Sequence, residues 1–320
     1  MPHHSESRYN VKRAVSRSRK PVLGTIWKHR SLYALAGLPV LWFLIFRYLP
    51  LFNAQIAFKQ YFPMEGVLKS PWIGFDNILY FINSPNFGRI MYNTLFYSFA
   101  KLLIGLPLAI MLALAIYEST LPLFRKTVQT MSYLPHFLSW IIVYGILTIL
   151  LSQGGGLVNQ IIKAMGGTEM DFLGNSKTFP WVIILSDAWK EMGWSAIIFL
   201  AALMAIDPCL YEAADIEGAN RVQRLRYVTL PGIADVIVVV LLLRLGTILN
   251  AGFYQLIAMR NDSIASVAEI VDTWVYFNAL QDIEMFGAGA AVGLFKGLFG
   301  MLLLVVSNRL AKRFAGSGLY

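Results

Sequence analysis

Cysteine is almost absent from this chain: one thiol, Cys209, in 320 residues. A single cysteine excludes an internal disulfide and any cysteine-based zinc site. Histidine is nearly as scarce, with four residues and no H-E-x-x-H spacing, so no zinc-protease helix is encoded. The dipeptide Gly-Lys occurs nowhere, which rules out the G-x-x-x-x-G-K-[ST] phosphate loop. Charge is thin as well: Asp, Glu, Lys and Arg make up 14% of the residues, against about 25% in soluble domains. In their place 57% of the residues are hydrophobic and the mean hydropathy is +0.58, which puts the chain in a membrane. The net charge of +9 does not point to nucleic acid, because most basic residues flank apolar runs instead of forming one polar surface.

Six runs are long enough to cross about 30 Å of hydrocarbon, which takes roughly 20 helical residues. They are Ser31–Phe52, Met91–Ser119, Val128–Leu151, Trp181–Ile206, Ile233–Leu256 and Phe286–Val306. The expected fold is an all-α polytopic membrane protein: a basic tail over 1–30, a six-span domain over 31–306 and a C-terminal tail over 307–320. The third run contains Pro135 and His136 and the fourth carries Asp187, Lys190 and Glu191, so both need protein neighbours or a cavity to receive their polar groups. Six spans put both termini on one side. That side and its loops carry 16 Lys and Arg residues against six on the other, so the termini are expected in the cytoplasm.

Between the fourth and fifth runs, on the cytoplasmic side, lies "YEAADIEGANRVQRLRYVTLPG", Tyr211–Gly232. Asp207-Pro208 is a helix start, a capping carboxylate followed by proline at the first helical position. Gly218 can end that helix with a positive φ. A second short helix from Asn220 to Val228 would then run into Leu230-Pro231. The product is an elbow over 207–232 at the membrane surface. By this pattern alone it is either an amphipathic interfacial loop or a docking element.

Glu212, Ala213, Ala214, Gly218, Val228, Leu230 and Pro231 fall at fixed spacing: E-A-A, three residues, Gly, nine residues, a β-branched residue, one residue, Leu-Pro. This spacing resembles the cytoplasmic E-A-A signature of permease subunits in binding-protein-dependent ABC importers. Around it, "WKEMGWSAIIFLAALMAIDPCLYEAADIEGANR" is similar to the branch that imports sugars and oligosaccharides, uronate-containing ones included. One departure is Ala234-Asp235, where many relatives carry a further proline. The resemblance implies that the elbow is a coupling helix seated in a separate cytoplasmic ATPase, which would hold the ATP and magnesium. It further implies a second permease chain, homologous or identical, two ATPase subunits, an extracytoplasmic solute-binding protein, a carbohydrate cargo and a bacterial inner membrane. The alternatives are a secondary transporter or channel that needs no ATPase, or a membrane-embedded enzyme using Asp187 and Glu191 together, or His136.

Lys101, Lys190, Arg244 and Lys296 fall near mid-span, where an unpaired charge costs at least ~2.5–3.5 kcal/mol. Asp187 and Lys190, three residues apart on a helix, are the expected local pair. The remaining cations are either satisfied structurally or form a positive path that suits an anionic sugar. Asn250, Phe253 and Tyr254 share one face if the fifth run is a continuous helix, a face fit for sugar hydroxyls and rings or simply for packing. In maltose-type relatives the comparable helix contributes to the substrate site. Trp140, Tyr144, Trp189 and Trp194 are weaker candidates. Gly289, Gly293 and Gly297 recur every four residues and are expected to mediate close helix packing. The outer loops, rich in Gly, Pro and Asn, are too short for a domain and long enough for a docking surface.

Overall fold

The computed structural model describes residues 29–315 and Gly318; most of the two expected tails, with His3 and His4, lies outside them. Apart from an isolated bridge between Lys59 and Trp72, the described residues are helical, turn or irregular. Two compact units divide the chain, Met1–Asn53 and Ala54–Tyr320.

The first unit carries most of α1, Arg30–Phe58, which is long and apolar enough to cross a membrane. The second unit is built around α2 (Phe87–Glu118) and α5 (Phe179–Met204). Their facing sides are small or apolar: Tyr97 meets Ile183 and Ile184 in one cluster, and Ala109, Ala113 and Ile116 meet Ala196, Phe199 and Leu203 in another. The early part of α2 meets the early part of α5 and the late part the late, so the two helices run parallel along one largely apolar seam.

The third expected span is not continuous. It divides into α3 (Pro122–Phe137) and α4 (Trp140–Leu151), bent by 108°. Pro135 removes a backbone donor, Leu138 is extended (φ −75°, ψ 140°), and Ser139 restarts the helix by accepting from the Ile142 N–H. Helix α3 approaches α5 so closely that a Cβ on Gly193 would lie 2.0 Å from the Ser132 carbonyl oxygen.

After α5 come the two short arms α6 (Pro208–Ile216) and α7 (Arg221–Gly232), then α8 (Ala234–Gly246). The expected fifth span, Ile233–Leu256, is also interrupted. Helix α8 stops at Gly246, and Gly252 adopts φ 101° before the half-buried helix α9 (Phe253–Met259) begins. A further helix, α10 (Val271–Trp274), runs on as a π-helical turn, Val275–Leu280, and the last described helix is α11 (Phe286–Ala315). The described helices allow three spans by length and apolarity, or six if each bent pair crosses as one.

Candidate functional site

The elbow is assembled by its own turn chemistry. The Asp207 carboxylate accepts from the Cys209 N–H at 2.9 Å and opens α6. At its far end Gly218 takes φ 74°, the Ala219 N–H reaches the Ala214 carbonyl at 2.9 Å and the Gly218 N–H reaches Asp215 at 3.1 Å, the paired bonds of a Schellman stop. Asn220 and Gln223 then cap α7 reciprocally, at 2.9 and 2.7 Å. Arg224 bridges to Asp215 at 2.7 Å, and the Tyr211 hydroxyl lies 3.1 Å from that of Thr229, so the two arms are tied to each other. Between them opens a groove of about 450 Å³ walled by Ala213, Ala214, Gly218 and Val228. Glu212 is exposed on α6 and has no ion pair among the described residues, which leaves its carboxylate for an outside partner. Leu230 and Pro231 begin the bend of 57° into α8.

Inside the membrane domain the lysines serve the helix interruptions. Lys190, 5% exposed, does not pair with Asp187 as its spacing suggested. Its Nζ donates to the His136 carbonyl at 2.6 Å, at the break between α3 and α4, and reaches Glu191 at 3.2 Å. The broken span thereby regains an acceptor's partner that the helix no longer supplies. Glu191 also meets the His136 ring at 2.8 Å, and that ring stacks on Trp194. Asp187 pairs with Lys101 of α2 at 3.1 Å. Lys101 donates as well to the Ala251 carbonyl at 3.0 Å and to Gln255 Oε1 at 2.5 Å, so it does for the interrupted fifth span what Lys190 does for the third. Gly252 is required there by its φ of 101°, which other residues rarely adopt, and a Cβ would also press on Lys101 Nζ. Lys296 pairs with Asp272, a carboxylate on α10 outside every apolar run and therefore invisible to a search of spans. Arg244 differs from the other three. Its guanidinium donates to the Ser195 hydroxyl at 2.7 Å and has no carboxylate among the described residues.

Two polar cavities meet at the interruption after α8. The first, about 220 Å³, is lined by Ser98, Lys101, Asp187, Glu191, Arg244, Thr247 and Asn250. The second, about 290 Å³, shares Thr247 and Asn250 and adds Asp272, Gly293, Lys296 and Gly297. The Ser98 hydroxyl is buried and has no hydrogen-bond partner among the described residues. The glycine stripe on α11 therefore splits: Gly289 packs against Ala279, whereas Gly293 and Gly297 face open space along the cavity wall. The helical face expected for Asn250, Phe253 and Tyr254 is corrected too. Asn250 precedes the left-handed Gly252 and lines both cavities, while Phe253 and Tyr254 follow it in a separate cluster of rings. Lys190 lines neither cavity. A larger apolar cavity of about 480 Å³ lies between α4 and α5, walled by Val143, Leu147, Trp181 and Leu185 among others. It offers almost nothing to a polar cargo, so the polar pair is the better candidate path.

The chain matches the family model described as binding-protein-dependent transport system inner membrane component over residues 105–316. It is similar to the polygalacturonan/rhamnogalacturonan transport system permease protein YteP of Bacillus subtilis (strain 168), 41% identical over 94% of each chain. Protein LplB of the same organism is 39% identical over 93% of each chain. Among solved structures, it is similar to a chain of the bacterial alginate ABC transporter in complex with alginate pentasaccharide-bound periplasmic protein. That likeness has a TM-score of 0.85 and 36% identity, and covers 94% of this chain and all of the other.

Proposed function

Because the chain belongs to the family of binding-protein-dependent transport system inner membrane components, as the permease subunit of an ABC sugar importer, we propose that its cargo is an acidic oligosaccharide. The observation that carries this reading is Arg244. Four mid-span cations, Lys101, Lys190, Arg244 and Lys296, stand against three carboxylates, Asp187, Glu191 and Asp272, and Arg244, the cation left over, lines the first polar cavity. A guanidinium matches a carboxylate bidentately. At 4 Å the attraction is about 1 kcal/mol in water and about 4 kcal/mol at an effective dielectric of 20, enough to favour a uronate over a neutral ring severalfold or more. The relatives named for polygalacturonan/rhamnogalacturonan and for alginate support the same class.

In this reading the sugar crosses by alternating access, past Asn250, Arg244 and Lys296. The work is supplied by two cytoplasmic ATPase subunits that hold ATP and magnesium and grip the elbow through Glu212, Ala213, Ala214, Gly218, Leu230 and Pro231. A second permease chain completes the path, an extracytoplasmic solute-binding protein delivers the cargo, and both termini face the cytoplasm. The test is uptake by the reconstituted complex of an oligogalacturonate against a neutral oligosaccharide of equal length, in wild type and in Arg244→Gln. The acidic sugar is expected to be preferred, and the preference to shrink in the variant. Uptake of the neutral sugar alone, or a preference that survives in Arg244→Gln, would return Arg244 to a structural role.

A further inference from the structure

Four aromatic rings gather just beyond the interruption of the fifth span. Phe253 and Tyr254, at the start of α9, lie 5.3 Å apart between centroids. Phe253 is 5.6 Å from Tyr276, and Tyr276 is 5.0 Å from Phe277, both on the π-helical turn Val275–Leu280. Arg260, on the loop after α9, lays its guanidinium over the Phe277 ring at 4.2 Å. Its Nε is buried without an acceptor, and no carboxylate pairs with it among the described residues. Tyr254 is 74% exposed, and neither its hydroxyl nor that of Tyr276 hydrogen-bonds within the described residues.

The cluster adjoins the polar path through the backbone at two points. Phe253 directly follows Gly252, which lines the first cavity, and Val275, which opens the π-helical turn, lines the second. A π-helical turn widens the spacing of side chains and is commonly found at functional sites. Tyr254 is exposed and Phe253, Tyr276 and Phe277 are half-buried, so the cluster is not a closed core, and the Arg260 guanidinium covers one of its ring faces. Apolar ring faces, free phenol hydroxyls and an unpaired guanidinium are together the groups that suit one sugar ring bearing a carboxylate.

We propose that Phe253, Tyr254, Tyr276, Phe277 and Arg260 form a second sugar subsite, next to the Arg244 cavity, which stacks a further ring of an acidic oligosaccharide and pairs its carboxylate with Arg260. The proposal rests on the acidic-cargo reading and adds a dependence on chain length that Arg244 alone does not create. A disaccharide fills one subsite; a longer chain occupies both.

The test uses the complete reconstituted complex with its binding protein and measures the half-saturating concentration for uptake of oligogalacturonates of two to five residues. The variants are Arg260→Gln, Tyr276→Leu and, as a control that keeps the ring, Tyr276→Phe. Arg260→Gln removes a charge-assisted bond, so the half-saturating concentration for the longer oligomers should rise about tenfold or more, with the disaccharide changed less than about twofold. Tyr276→Leu should act in the same direction and Tyr276→Phe much less. Equal losses for all lengths, or no loss for any, would overturn the subsite. If wild type prefers neutral sugars, the cargo reading fails first, and the wild-type series alone reveals it. Melting of each purified complex at the wild-type temperature identifies a length-dependent loss as one of binding and not of folding.

Discussion

Replacing Lys101 by methionine removes a cation and leaves three groups behind. Its Nζ serves the Asp187 carboxylate at 3.1 Å, the Ala251 carbonyl at 3.0 Å and Gln255 Oε1 at 2.5 Å. The two charged side chains are only 10% and 20% exposed, so the acid that remains, on the wall of the first polar cavity, is only partly solvated. Stranding one partner of a buried pair costs about 3–5 kcal/mol. At roughly 2–4 °C per kcal/mol, the melting temperature should fall on the order of 10 °C. Adding Asp187→Asn removes the stranded charge and should recover more than half of that loss. Arg244→Gln gives up one hydrogen bond, to a hydroxyl at 2.7 Å beside a cavity that water can enter, and should cost about 1 kcal/mol, a shift of a few degrees. The assay is thermal melting of the detergent-solubilised complex followed by tryptophan fluorescence. If Arg244→Gln melts as low as Lys101→Met, or if Asp187→Asn fails to rescue, the division between structural lysines and a working arginine is wrong.

Two further expectations concern the elbow and the orientation. Glu212→Lys reverses an exposed, unpaired charge, and Gly218→Val forbids the φ of 74° that ends α6; each should abolish uptake and ATPase association while the chain still inserts, and normal association in both variants would remove the coupling assignment. Cysteines placed at Lys163 or Asp262 should react with an impermeant thiol reagent from outside, whereas Cys209 should react only after the membrane is opened. A hydrogen bond to Asp207, and then its charge, push the Cys209 thiol up, so its labelling should be slow near neutral pH and quicken as the pH is raised; the reverse sidedness would invert the topology.

Membrane class, the six apolar segments and the elbow were legible in the order of residues alone because each depends on near neighbours. Hydrocarbon thickness sets the length of a span whatever packs beside it. Asp207-Pro208, Gly218 and the Asn220–Gln223 box fold the elbow through bonds no more than a few residues long. The charges inside the membrane obey no such local rule. Sequence spacing matched Asp187 with Lys190, yet the rotation of α2 against α5 gives Asp187 to Lys101 and leaves Lys190 to a carbonyl at the break of another span. Asp272 neutralises Lys296 from a segment that no hydropathy search would count, and the left turn at Gly252 sends Asn250 one way and Phe253 the other. Which cation is left over therefore depends on how the helices are turned toward one another. Only the packed structure could decide it, because in a medium with little water a buried charge is settled by whichever polar group the neighbouring helix brings within about 3 Å.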